Sequence, residues 1–436
     1  MSKINNQQWF KIVNYVFIFF LVLSCKSVFW VSTFPAFKIV KVGAFFLPLL
    51  IVLGYAFYYR DTVVEQFKKI MMPLIIFIVF ISVFLIFNFL IYHYSLPRIG
   101  FFCLYLPIIL YLYSCIVIHK KQDVIVYFIN IVSFLSVISL FFWLLSEFDI
   151  PTNTEFVAQW GHDIKVPGYL IFQFIPQGAV PFLGINIVRN TGLFIEAPMF
   201  SFVLSSAIIF SLFLCPDLKQ RKSKLLILYV TIITTTSTTG IIISLLSLVI
   251  YIFAVEWKKI VKNVSRIDRY AIGLVLIAFA GCFAGFAISS KMQSMKGSTT
   301  VRSNDIMAGF HAFMLHPIIG NGIGNFDILK KFMLASRLKQ GGNDGFSAGL
   351  MQVLAYGGIA LLLVYLVPLI FSIIKRDLNT TIVSSLLLVL LFFTIVNEVE
   401  LYFFLSIYLV SYLYLTGGKQ NNLSGARPNK LLHFGG

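Results

Sequence analysis

The chain has 436 residues, of which 59% are hydrophobic and only 12% charged, with a formal net charge of +17 and a mean hydropathy of +0.91. A soluble domain carries about a quarter of its residues as charges, so this balance excludes an ordinary water-soluble fold. The basic excess gathers at the ends of apolar runs, which argues against nucleic acid as a partner.

Apolar runs of roughly 18 to 23 residues recur, each long enough to cross a hydrocarbon core of about 30 Å. Backbone groups find no water there, so the runs must be helical. The alternation of a membrane β-barrel is absent. The expected fold class is an all-α polytopic membrane protein, a single transmembrane domain over residues 1–436.

The first run, Ile12 to Ser32, is too long for a signal-peptide core and has no small-residue cleavage site after it, so it reads as a retained helix. Lys26 lies within it and is expected to snorkel. Basic clusters follow at Lys3/Lys11, Arg60/Lys68/Lys69, Lys120/Lys121, Lys219–Lys224, Lys258–Arg269, Lys375/Arg376 and Lys419–Lys430. If every cluster stays cytoplasmic, the chain crosses an even number of times between neighbours and makes about twelve transmembrane helices. The spans are 12–32, 39–58, 71–93, 101–118, 124–146, 198–215, 225–237, 240–256, 270–288, 348–374, 381–397 and 401–417. Both termini are then cytoplasmic. A tight hairpin is forced at Thr234–Gly240, and the last pair turns at Asn397–Glu400. The basicity thus reads as an orientation signal and an attraction to anionic membrane lipid. The five cysteines lie in or at the ends of apolar runs, none at metal-ligand spacing, so neither disulfides nor zinc are expected.

Two long segments, 147–197 and 289–347, fall on the outer face. Long loops in a compact membrane domain are commonly functional, and the aromatics Trp160, Phe172, Phe174, Phe310 and Phe313 argue for order. Within the first loop, the apolar stretch Gly168–Gly184, broken by Pro176 and Pro181, is expected to lie at the interface or to re-enter.

Candidate chemistry concentrates in these loops. Pro198 suits a first helical turn, which places Glu196 at a helix N-terminus and Arg189 just outside it. A helix N-terminus with an Arg fork suits a phosphate oxyanion, and a partly desolvated Glu196 suits a base. An Arg189–Glu196 ion pair that only caps the helix is the plainer alternative. The second loop is rich in Lys and Arg, and Arg302 and Arg337 are its best anion ligands because Arg binds phosphate in a bidentate way. His316 opens a Gly-rich run through Gly320, Gly322 and Gly324, which permits a tight turn with close backbone approach. No strand precedes it and no Lys-Ser/Thr follows, so it is not a nucleotide loop. Asn343 and Asp344 precede the tenth span, where Asp344 reads as a base, a sugar-hydroxyl acceptor or a helix cap.

Three features occur in order: R-x-x-G-x-x-x-E-x-P at Arg189–Pro198, the Thr/Ser hairpin at Thr234–Gly240, and H-P-x-x-G-x-G-x-G-x-F at His316–Phe326. An N-D-G-F helix start and Tyr356-Gly-Gly-Ile359 follow. Over residues 185 to 370 this order resembles the Wzy-type O-antigen and capsule polymerases, which share a superfamily with the O-antigen ligases. The resemblance implies a metal-independent glycosyltransferase without cofactors, in the bacterial inner membrane with its active site on the periplasmic face. It moves a glycan from undecaprenyl pyrophosphate to a lipid-linked repeat unit, and a chain-length regulator is a possible partner. It implies Glu196, Asp344 or His316 as the base, in that order, and Arg189, Arg302, Arg337 and Asn343 as pyrophosphate or substrate ligands. The ligase branch carries a His-Asn pair near the tenth span, where this chain has Asn343-Asp344. An Arg-x10-Gly pattern found in some polymerase loops is not met at Arg302, because Phe313 stands in place of the Gly. A ligase and a lipid-linked-oligosaccharide flippase are the alternatives.

Overall fold

The computed structural model describes residues 3–92, 105–118, 123–160, 162–182, 184–215, 218–256, 296–338, 345–346, 348–374, 377–393 and 400–416. The expected ninth span, 270–288, lies outside them, as do Asn343 and Asp344.

Long apolar runs form the helices. In chain order they are α1 (Lys3–Leu23), α2 (Val28–Val31), α3 (Lys38–Tyr58), α4 (Arg60–Tyr92), α5 (Tyr105–Ile118) and α6 (Asp123–Glu147). After a strand region come α7 (Ala197–Phe213), α8 (Leu218–Thr234), α9 (Thr238–Tyr251), α10 (Lys296–Leu315), α11 (Phe326–Lys330), α12 (Gly349–Ile374), α13 (Leu378–Phe393) and α14 (Glu400–Thr416). Among the described residues five helices are long and apolar enough to cross a membrane: Pro35–Tyr58, Ile75–Tyr92, Val124–Glu147, Thr238–Val255 and Gly349–Ile374. The other apolar helices, such as Ala197–Phe213, are shorter. The protein is therefore a mostly helical, membrane-embedded one.

At the centre stands α7, buried on every side apart from Pro198. A helix that is apolar all round has no solvent face to present, so it belongs in the interior. It packs against α6, α8, α9 and α13. Where α9 crosses, a Cβ on Gly240 would stand 2.6 Å from the Ser201 Cβ. Only glycine allows that approach.

Three expectations are corrected. The first span, 12–32, is not one helix: α1 stops at Leu23, and Lys26 turns into the left-handed region at φ 59° before α2 begins. The freed backbone is paired from far away. Val28 N–H donates to Leu193 O (2.8 Å), and Ile195 N–H donates to Lys26 O (3.1 Å). Lys26 is a turn residue, half-buried, not a snorkelling side chain on a helix. Second, the long segment 147–197 is not without regular structure, within a fold that is otherwise helical. Segment 147–197 holds strands β1 (Thr154–Trp160), β2 (His162–Tyr169) and β3 (Gln173–Phe174) in one antiparallel sheet. Strands β4 (Ala179–Phe182) and β5 (Ile185–Val188) form a second, two-stranded one. Third, the span expected at 71–93 is part of a longer helix, because α4 starts at Arg60 and runs on without a break to Tyr92.

The Gly168–Gly184 stretch is exposed at Leu170, Ile171 and Phe172. Beyond the turn at Leu170 (φ 53°), Gln173 and Phe174 are fully buried.

Candidate functional site

The segment 189–196 is pinned by three neighbours. Asn190 is buried, and its N–H and Nδ2 donate to Thr234 O (3.1 Å) and Thr234 Oγ1 (3.0 Å). Its Oδ1 accepts from Gln173 Nε2 (3.2 Å). The Thr191 hydroxyl donates to Phe174 O (2.7 Å), and Phe174 N–H donates to Gly192 O (2.9 Å). Gly192 sits at φ 56° with the Phe200 ring 3.0 Å from where a Cβ would be, a place open to glycine alone. Ile195 and Leu193 pair with the break after α1, as above. Asn190, Thr191 and Gly192 thus anchor the segment, and Arg189 and Glu196 bracket it.

Arg189 Nε donates to Thr236 Oγ1 (3.1 Å) and Thr235 O (3.3 Å), both in the turn between α8 and α9. Burial pulls its proton affinity down to about 10; Glu196 opposes that pull and Arg302 adds to it. Arg302, on α10, donates from Nη1 to Thr239 Oγ1 (3.2 Å), on the first turn of α9. Burial lowers its proton affinity too, opposed by Glu196 and then Asp305. The two guanidiniums and the Glu196 carboxylate therefore share one electrostatic neighbourhood, although Arg302 is remote from the other two in sequence.

Glu196 is the N-cap of α7, extended at φ −143° and ψ 147°, but its side chain makes no capping hydrogen bond. The amide of Ala197 donates instead to Gln177 Oε1 (3.2 Å). Gln177 satisfies the helix end, and the half-buried carboxylate of Glu196 answers to the arginines. Desolvated cations cost free energy unless an anion faces them. Two arginines against one carboxylate leave a net positive site at a helix N-terminus, which favours a further anion.

Arg337, expected beside these cations, has another partner. It forms an ion pair with Asp305 and donates from Nη2 to Gly345 O. Asp305 is fully buried and Arg337 nearly so. The pair ties the segment after α11 to α10, three residues from Arg302. The ion pair gives Arg337 a structural partner in Asp305.

His316 follows the end of α10, exposed, with its ring edge-on to Tyr92 at 6.3 Å. Its carbonyl accepts from Gly320 N–H (2.9 Å). The glycine run makes the close approach expected of it. Gly320, Gly322 and Gly324 all have positive φ. The target is a break in α12, where Gly358 leaves helical geometry at φ 59°. Asn321 and Gly322 N–H donate to Ala355 O (2.9 Å) and Tyr356 O (3.0 Å), while Ile359 and Ala360 N–H donate to Pro317 O (2.8 Å) and Ile318 O (3.0 Å). The loop supplies the bonds that the broken helix lacks. His316 and the glycine run therefore frame α12.

The threonines holding the arginines were not singled out from sequence. The signal was present: Thr234-Thr-Thr-Ser-Thr-Thr-Gly240 carries more hydroxyls than a turn between two helices requires. Among the described residues, no three His, Cys, Asp or Glu side chains gather to hold a metal ion. Comparison with known proteins finds no matching family model, no similar curated protein and no similar solved structure.

Proposed function

We propose that the protein is a polysaccharide polymerase of the lipid-carrier type, which transfers a growing glycan from undecaprenyl pyrophosphate to a lipid-linked repeat unit at the outer face of the bacterial inner membrane. One observation carries the reading: two desolvated arginines from separate segments, Arg189 and Arg302, share one site with Glu196 at the N-terminus of α7. The topology that goes with it has about twelve spans and both termini cytoplasmic.

The chemistry matches that inventory. The acceptor hydroxyl oxygen forms a bond to the anomeric carbon, while the bond from that carbon to the pyrophosphate oxygen breaks. The leaving pyrophosphate takes the electron pair, and Arg189 and Arg302 stabilise the charge that develops on it. Glu196 takes the hydroxyl proton, in the same electrostatic neighbourhood as both cations. Asp344 and His316 are the reserve bases, and Asn343 is a reserve substrate ligand.

The test is to delete the gene from its host and complement it with wild type, Arg189→Ala or Glu196→Ala, checking that each protein reaches the membrane. Surface polysaccharide is then resolved on a gel. A polymerase gives a single repeat unit in the deletion strain, a ladder with wild type, and no ladder with Arg189→Ala. Unattached lipid-linked polymer in the deletion strain would mean a ligase, and repeat units held on the cytoplasmic side a flippase. Either outcome removes the polymerase.

A further inference from the structure

We propose that the turn between α8 and α9 is the positioning element of the anion site, with Thr236 aiming Arg189 and Thr239 aiming Arg302. The inference rests on the reading above only in taking the two guanidiniums as anion ligands.

Two arginines from different parts of the chain each find a hydroxyl acceptor here, three residues apart, Thr236 in the turn and Thr239 at the start of α9. The distances are 3.1 Å for Thr236 and 3.2 Å for Thr239. A guanidinium offers five N–H donors in a rigid fork. Engaging Arg189 through Nε fixes the plane of the fork and leaves its paired Nη end to meet two oxygens of a ligand. Arg302, held through Nη1, is oriented in the same manner.

The backbone gives an independent reason. Thr236 is buried and sits at φ 52°. Left-handed geometry is strained for a β-branched residue, and such a site ordinarily selects glycine or asparagine. What threonine brings that glycine does not is the hydroxyl bound to Arg189. Strain retained at a polar contact points to function.

The turn is also stiff. Ser237 N–H donates to Thr235 Oγ1 (3.2 Å), Ser237 Oγ accepts from Ser201 Oγ on α7 (2.9 Å), and Thr234 is held by Asn190. The element holding both arginines is thereby fixed to the helix whose N-cap is Glu196. Neither threonine reaches a reacting atom; each acts through its arginine.

The experiment is calorimetric titration of the purified full-length protein in lipid nanodiscs with inorganic pyrophosphate, with the melting temperature of every variant recorded. Wild type is compared with Arg189→Ala, Thr236→Val, Thr236→Ser, Thr236→Gly, Thr239→Val and Thr239→Ser. Valine keeps the β-branch and so isolates the hydroxyl. Each Thr→Val change is expected to weaken pyrophosphate binding by about two- to tenfold, the worth of one hydrogen bond, and each Thr→Ser change to restore it. Thr236→Gly is expected to melt above wild type yet bind more weakly, a split that no purely structural role produces. If Arg189→Ala abolishes binding while the Thr→Val variants bind like wild type, the positioning role is wrong and the anion site stands. If wild type takes up no pyrophosphate, or Arg189→Ala binds as well as wild type, the anion site falls and the positioning role with it.

Discussion

The Arg337–Asp305 pair gives the sharpest check on the division between structural and ligand-facing cations. Both side chains are buried, Asp305 at 0% exposure and Arg337 at 6%. Asp305→Leu leaves a guanidinium with no counter-charge and little water, which costs about 3–5 kcal/mol. Arg337→Met strands the carboxylate and also deprives the Gly345 carbonyl of its donor, a further loss of about 1–3 kcal/mol. In the double variant both charges of the pair leave together, and the Gly345 bond is lost with them. Its stability should return to within about 1–3 kcal/mol of wild type. The assay is thermal unfolding of the detergent-purified protein at one fixed scan rate, since large proteins unfold irreversibly. Pyrophosphate titration of the double variant accompanies it, with affinity expected within about tenfold of wild type, or about 1.4 kcal/mol. If Arg337→Met melts like wild type but no longer binds pyrophosphate, the pair is not structural, and Arg337 belongs with the anion ligands.

Gly320→Ala places a methyl 2.3 Å from Gly357 N and 2.4 Å from Tyr356 O, at φ 70°. The left-handed strain alone is about 1–2 kcal/mol, and the loop bonds that depend on this approach are worth about 0.5–1.5 kcal/mol each. The variant should melt well below wild type and be cut faster by protease between residues 316 and 326; an unchanged melt would show that the loop is not seated in the break. Arg189→Lys tests the burial of that cation. Burial draws Arg189 down to about 10, and the same burial would hold a lysine there below its ordinary value of about 10.4. The value lies below that of the unfolded chain, so the folded state loses its proton first and affinity falls as pH rises. Pyrophosphate affinity of Arg189→Lys should drop between pH 7 and pH 9 while wild type holds steady; parallel profiles would show that the pocket is wet.

What sequence could show was set by local patterns. Pro198 marks the start of α7, and the hairpin Thr234–Gly240 takes in the end of α8 and the start of α9. The glycine run announces a close approach, though not its target. The break after Leu23 is hard to read because Ser24, Lys26 and Ser27 are the only local sign of it in a long apolar run and the partner that stabilises the break lies at residues 193–195. The strands of segment 147–197 pair chiefly with one another and show no long alternation, so composition reads them as loop. Charge counting groups Arg337 with Arg302, but only geometry shows that Asp305, 32 residues away, has claimed it. The shared site of Arg189, Arg302 and Glu196 lies between these cases: the residue types are legible, and their convergence is a property of the packing.

The interrupted N-terminal helix sets an order of events during synthesis. Its exposed backbone groups need Leu193 and Ile195, which do not exist when residues 12–32 leave the ribosome. In hydrocarbon, unpaired amides and carbonyls are costly, so the nascent segment is best served by one unbroken helix. Its conversion to α1, the Lys26 turn and α2 must wait for the sheet region and the start of α7. This segment is thus among the last to reach its final shape. A chain cut short before residue 193 would hold its N-terminus in a form that the finished molecule never shows.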